Sequence, residues 1–332
     1  MDRLHRLTAW LGSCLPGRAL RLEPASADAS FRRYFRAIAD DASWIVMDAP
    51  TGHEDCRPFV RVAGLLQDAG LHAPKVLAQD LEQGFLLLTD LGKTTYLTAL
   101  EQDRQRATAL FGDATSALVQ WQLATREGVL PDYDEPLLRR ELALFPDWYV
   151  ARHRGRTLTP EESATLAHTF DLIVASNLAQ SRVYVHRDFM PRNLMLTDPN
   201  PGILDFQDAV LGPITYDMAS LFRDAFISWE EAEVLDGTIR YWESARRAGL
   251  PVNPDFGQFW REVEWMGLQR HLKVLGIFAR LHYRDGKPGY LADTARFVGY
   301  VRATAQRYQA LFPLARLLDV IEDHRPGTGY TF

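Results

Sequence analysis

Residues 186–193 read His-Arg-Asp-Phe-Met-Pro-Arg-Asn, and twelve residues past the asparagine the chain reads Asp205-Phe206-Gln207. A carboxylate, a carboxamide and a second carboxylate in this order are the donors that phosphoryl transfer from ATP requires. One carboxylate must stand beside the attacking hydroxyl to orient it and take its proton, and hard oxygen ligands must hold Mg²⁺ against the phosphates. Little covalent chemistry falls to the protein in such a reaction, so positioning and charge neutralisation carry it. Asp188 is therefore expected to be the base, and Asn193 and Asp205 the metal ligands. Taken singly, each is also the kind of residue that caps a turn. Their joint order, with strand-like runs at 183–185 and 202–204 just before the two aspartates, favours the chemical reading.

These residues lie in a short β-rich island (183–185, 194–197 and 202–204). The chain around it is helical in pattern over 94–126, 135–153, 160–179, 216–225, 229–248, 255–282 and 290–322. Before residue 92 the periodicity differs. A helical stripe over 2–14 gives way to strands at 19–23, 31–39 and 44–48, a helix at 55–69, and strands at 75–78 and 84–89. The expected architecture is α+β and bilobal, with a β-rich nucleotide-binding N-lobe over 1–92. A mainly helical C-lobe over 93–332 carries the catalytic loop and the acceptor site. At 332 residues, two lobes are the natural expectation.

The nucleotide half is less orthodox. The first turn, Ser26-Ala27-Asp28-Ala29-Ser30, has no glycine, although small residues let the backbone approach a phosphate and the Ser30 hydroxyl adds a donor. The third strand has Met47 about where a phosphate-binding lysine belongs. Strand alternation puts Arg32 and Arg36 on one face and Arg33 on the other. Arg33 is the candidate replacement for that lysine, against the plainer reading of arginines that solvate a sheet edge. Adenine is expected at 88–92, on main-chain groups of Asp90 and Leu91.

The HRDxxxxN and DF motifs resemble the kinase-like superfamily shared by protein kinases, aminoglycoside phosphotransferases and choline kinases. Gln207 stands in place of the usual glycine. Only eleven residues separate Asp205 from Asp217, too few for an activation loop and a peptide platform. Gly212-Pro213-Ile214-Thr215-Tyr216-Asp217-Met218-Ala219 is similar to the helix start of the aminoglycoside-phosphotransferase type, so a small acceptor is implied. The resemblance makes Asp217, with His186, a support for the catalytic loop. Read alone, Asp217 is a first-turn acid behind a Thr215 cap.

Longer phrases narrow the likeness: 28–35, Met47-Asp48-Ala49-Pro50, 205–209, 216–221 and 269–276. Together they resemble the anomeric N-acetylmuramate/N-acetylglucosamine kinases of bacterial cell-wall recycling, in which the missing glycine and lysine are expected. The implied reaction is phosphorylation of an amino sugar at its anomeric hydroxyl. Other acceptors of the fold (an aminoglycoside, choline or a fructosamine) and a non-catalytic nucleotide-binding module remain the alternatives.

The 255–284 segment bears Trp265, Arg270 and His271. Aromatic faces suit a pyranose, and arginine suits the lactyl carboxylate of N-acetylmuramate. An amphipathic core helix with a solvated basic edge is the plainer reading. A formal charge of −6 argues against nucleic acid as a partner. No apolar run is long enough to span a membrane, the N-terminus lacks a signal-peptide pattern, and Cys14 and Cys56 fit no metal or disulfide framework. A cytoplasmic enzyme with ATP and an amino sugar as partners, and no obligate protein partner, is expected.

Overall fold

The structure, a computed structural model, describes residues 2–27 and 31–323. Along the chain come α1 (Arg3–Cys14), β1 (Arg21–Ala27), β2 (Arg33–Ile38), β3 (Ser43–Asp48) and α2 (Arg57–Asp68). Next are β4 (Val76–Asp80), β5 (Phe85–Thr89), α3 (Tyr96–Gln102), α4 (Ala107–Leu123) and α5 (Glu135–Leu144). A π-helical stretch, Phe145–His153, precedes α6 (Pro160–Leu178), β6 (Arg182–Val185), β7 (Leu194–Met195), β8 (Gly202–Ile203) and β9 (Val210–Pro213). The remainder is α7 (Tyr216–Phe222), α8 (Glu231–Arg247), α9 (Phe256–Tyr283), α10 (Thr294–Arg307) and α11 (Phe312–Ile321). Among the described residues no helix is long and apolar enough to cross a membrane.

The chain divides into two compact units. The first runs up to Ala124 and also contains Pro191–Ala209. Its antiparallel sheet has the order β1-β2-β3-β5-β4. Alternation places Phe35 and Ala37 of β2, Val46 of β3, and Phe85 and Leu87 of β5 on one face, where Leu7 and Leu11 of α1 cover them. Met47, Leu86 and Leu88 are buried on the opposite face. The β7–β8 pair belongs to this unit because His72 bridges Gly202 and Thr95 bridges Met195. The unit is thus wider than a lobe ending at residue 92. Gly202 has a steric reason: a Cβ there would lie 2.9 Å from Leu91 Cδ1, so its absence lets Leu91, two residues past β5, rest on β8.

The second unit, Thr125–Met190 with the chain from Val210 onward, is helical around one two-stranded sheet, β6–β9. Its core is α9, buried over most of its 28 residues and packed by α5, α6, α7, α10 and the π-helical stretch. Pro146 has no N–H to offer Leu142, so the α-helical ladder breaks there and the chain continues in the wider winding, closing with Arg154 N–H on Tyr149 C=O at 2.9 Å. Gly276 of α9 admits this crossing, since a Cβ would lie 2.3 Å from the Leu144 carbonyl. The helix expected over 94–126 is interrupted at Asp103, whose side chain caps a 3₁₀ turn. The one expected over 290–322 is broken around Tyr308.

Candidate active site

In the second unit, β6 delivers the chain into the catalytic loop. Asp217, fully buried in the first turn of α7, accepts the His186 N–H on one oxygen at 2.7 Å and the Arg187 N–H on the other at 2.9 Å. These bonds hold Arg187 at φ 77°, a left-handed conformation that a long side chain disfavours. Ser220 Oγ donates to the Arg187 carbonyl at 3.1 Å. The Asp188 N–H donates to His186 Nδ1 at 3.2 Å, and the His186 ring meets Phe189 edge-on. The half-buried Asp188 thus leaves a loop fixed on both sides. Burial pushes the Asp217 carboxyl up to about 7, against the pull of the two N–H donors. Thr215 caps nothing; its hydroxyl donates to Gln180 Oε1 at 2.7 Å.

Beneath the loop lies an ion network that sequence reading missed. The Arg187 guanidinium meets Glu141 Oε1 at 2.5 Å, and Lys273 Nζ lies 3.0 Å from the same oxygen and 3.1 Å from the Tyr216 hydroxyl. Tyr133 donates its hydroxyl to Glu141 as well. Burial opposes the Glu141 charge, yet Lys273 and Arg187 hold its carboxyl below the ordinary value. The signal was available: an acid on the apolar stripe Leu138, Leu142, Phe145 of a helix calls for buried cations.

Of the three residues expected to meet the acceptor, two belong to the core. Trp265 is 2% exposed, edge-on to Tyr308 at 5.8 Å and covered by the Arg261 guanidinium at 4.6 Å. His271 is 1% exposed against Tyr300 and Phe297, and burial drives its pKa well below the ordinary value. Neither offers a sugar an open face. Arg270 is different: its Nη2 lies 3.7 Å from Met190 Sδ, two residues past Asp188.

In the first unit, Asn193 ends a 3₁₀ turn, and its carbonyl accepts the Leu204 N–H at 2.9 Å. Its Nδ2 lies 3.3 Å from Asp205 Oδ2, so sequence neighbours twelve apart become spatial neighbours. Asp205 sits at φ 62° and is followed by the buried Phe206, packed on Phe59 at 4.7 Å, and by Gln207, whose Nε2 donates to Asp205 Oδ1 at 2.9 Å. The unusual glutamine thereby braces the aspartate. One carboxylate beside one carboxamide suits a hard cation that takes its remaining ligands from phosphates and water. Among the described residues there is no group of three or more His, Cys, Asp or Glu that would form an all-protein cage.

At the end of β5, the Asp90 carboxylate accepts from Arg36 at 2.6 and 3.0 Å, from Ser43 Oγ at 2.7 Å and from the Gly92 N–H at 3.0 Å. Arg36 also donates to the Gly92 carbonyl at 2.7 Å. The Asp90 side chain is thus occupied in shaping the linker, while the Asp90 carbonyl and Leu91 N–H have no hydrogen bond among the described residues. Arg33 does not replace the missing lysine. It lies on the α1 face of the sheet and is ion-paired to the buried Asp48, which also takes Arg3 Nε at 2.6 Å. Ser30 lies outside the described residues. Just after it, Glu54 accepts the Phe31 N–H at 3.2 Å and Arg32 Nε at 3.1 Å.

The sequence profile of the phosphotransferase enzyme family matches residues 21–252. The chain is 54% identical over 326 residues to the N-acetylmuramate/N-acetylglucosamine kinase of Pseudomonas aeruginosa, covering 95% of this chain and 96% of that protein. It is 51% identical over 336 residues to the protein of the same name from Neisseria meningitidis serogroup B, covering 100% of each. Among solved structures, choline kinase LicA from Streptococcus pneumoniae matches with a TM-score of 0.64 at 14% identity, over 91% of this chain and 100% of that one. That likeness is one of fold, and it is the kinase-like α+β fold expected from the motifs.

Proposed function

This chain belongs to the phosphotransferase enzyme family, and from that premise we propose that it moves the γ-phosphoryl group of ATP to the anomeric hydroxyl of N-acetylmuramate or N-acetylglucosamine. The observation that carries this reading is near-end-to-end identity above one half with a relative named for both sugars. The catalytic loop supports it, because Asp217 fixes the two residues before Asp188 by their N–H groups. Asp188 orients the anomeric hydroxyl and takes its proton. The sugar oxygen bonds to the γ-phosphorus, the bond from that phosphorus to the ADP oxygen breaks, and a sugar 1-phosphate leaves. Asn193 and Asp205 would hold Mg²⁺, which when bound supplies positive charge to the phosphates. The Asp90 carbonyl and Leu91 N–H are the acceptor and donor for the adenine edge, and Arg270 is the group for a lactyl carboxylate. ATP as donor places the reaction in the cytoplasm, where the product enters peptidoglycan recycling.

The test is a panel of acceptors with ATP, read by ³¹P NMR. A new resonance from an anomeric sugar phosphate with either amino sugar is the expected result. Transfer to choline or an aminoglycoside instead, or no transfer to any acceptor, overturns the proposal.

A further inference from the structure

Beside the catalytic loop, two side chains of the second unit are buried with hydrogen-bonding capacity unmet. Asp224 follows α7 at 0% exposure. Its Oδ1 accepts the Phe226 N–H, whereas Oδ2 has no partner among the described residues. Arg270, 4% exposed, approaches Met190 through Nη2, while Nη1 has none. The two charges are close enough to influence each other. Burial pushes the Asp224 carboxyl up to about 6, against the pull of the Phe226 N–H, Arg270, the Ile227 N–H and Arg296. Even so, no hydrogen bond joins Asp224 to Arg270 among the described residues.

The neighbouring acids of this unit are treated differently. Asp217 fills both oxygens, and Glu141 takes Arg187, Lys273 and Tyr133. A buried polar atom left open is costly, and each such group in a native structure calls for an explanation, a bound ligand among them. Here the open donor sits by the loop that presents Asp188, through the Arg270–Met190 contact, and the open acceptor interacts electrostatically with that arginine. The stretch from Arg223 to Glu230 has no regular secondary structure. It is held to α10 by Arg296 Nη1 on the Ala225 carbonyl and by Ser228 Oγ and the Tyr300 hydroxyl, 3.2 Å apart. It is held to α9 by Arg223, which pairs with Glu264 at 3.5 Å and lies over the Trp260 ring.

We propose that Asp224 recognises the acetamido group common to both amino sugars, Oδ2 accepting its N–H, while Arg270 Nη1 reads the carboxylate that only N-acetylmuramate carries. The assignment rests on the amino-sugar reading above and divides the work: Asp224 selects the class and Arg270 the member. A site built to hydrogen-bond a polar group rejects the analogue that lacks it far more strongly than an apolar pocket does.

Asp224→Asn is a sharp test because its geometry is forced. The Phe226 N–H fixes the amide oxygen on its own side, so the amide nitrogen lands where Oδ2 was and an acceptor becomes a donor. We would measure kcat and KM for N-acetylglucosamine, N-acetylmuramate and glucose, KM for ATP, and sugar-induced thermal shifts without ATP. The variant should raise KM for both amino sugars about tenfold or more, abolish their thermal shifts, leave KM for ATP unchanged, and cut the preference for N-acetylglucosamine over glucose by a similar factor. Unchanged sugar KM values in an active variant, or equal losses for glucose and ATP, overturn the assignment alone. Wild-type enzyme that phosphorylates neither amino sugar overturns the reading on which it rests. Should Asp224→Asn fold poorly, the wild-type comparison decides: no preference for N-acetylglucosamine over glucose refutes the acetamido contact, and a strong preference supports it.

Discussion

The arginines of β2 and the bases of α9 looked alike as sequence, yet the two regions treat charge in opposite ways. In the first unit, Arg33 is paired with Asp48, Arg36 with Asp90, and Arg32 with Glu54, so each guanidinium has a carboxylate partner within the sheet or its loops. On α9, Lys273 is likewise held by Glu141, but Arg270 three positions earlier keeps an unmet donor in the interior. Charge alone therefore does not mark a binding residue; Arg270 stands apart because its unmet donor is joined to a contact with Met190, two residues past Asp188.

The comparison can be broken or sharpened by substitution. The largest effect is expected at Asp188, the proposed base, whose loop Asp217 braces. Asp188→Asn should lower kcat by ~10²-fold or more with the fold retained, and near-normal turnover would remove it from the mechanism. Next comes Arg270→Ala, which should cost N-acetylmuramate ~1.5–3 kcal/mol and N-acetylglucosamine little, shifting the kcat/KM ratio about tenfold or more. An equal loss for both sugars would put Arg270 with the paired, structural bases. Smaller still is the contrast within β2. Arg36→Ala loosens the Asp90–Gly92 linker and should raise KM for ATP about fivefold, or ~1 kcal/mol. Arg33→Ala should leave that KM unchanged and lower stability by about 1 kcal/mol, discounted because half of its side chain is exposed. Reversed outcomes would return Arg33 to the phosphates.

The smallest effect is a slope with pH. Asp217 in the fold holds its proton up to about 7, whereas the unfolded chain releases it near 3.8. Between those values the native state binds more protons, so this residue's contribution to stability is full below ~4 and is lost as pH rises through about 7. Urea unfolding from pH 4 to 8 should show this slope in the wild type and its loss in Asp217→Asn. Parallel curves would mean that the N–H donors outweigh burial.

What could be read in advance was the part written locally. The 186–193 and 205–207 motifs, their strands, and the five-stranded order of types before residue 90 all follow from short-range pattern. Strand alternation correctly separated Arg33 from Arg36, but it says nothing of what covers each face, and α1 with Asp48 claimed Arg33. Trp265 and His271 were misplaced for the same reason, since α9 is buried all round from Val263 to Gly276 and the edge read as solvated lies in the interior. Strand β9 went unread because Val210-Leu211-Gly212-Pro213 is short and ends in a residue usually found at breaks.

The segment Pro191–Ala209 belongs to the first unit although 66 residues of the second, Thr125–Met190, precede it. On the ribosome the amino-terminal unit is therefore finished only at Ala209, after the start of its companion has emerged. A nascent chain ending at Ala124 has its five-stranded sheet but neither β7 nor β8, and it lacks both expected metal-binding side chains. It must wait, incomplete, while the start of its companion emerges. Domain-by-domain folding from the N-terminus, the usual vectorial order, is therefore delayed until Ala209 has emerged. A fragment cut at Ala124 keeps all five strands of its sheet but loses the β7–β8 pair that His72 and Thr95 bridge, together with Asn193 and Asp205.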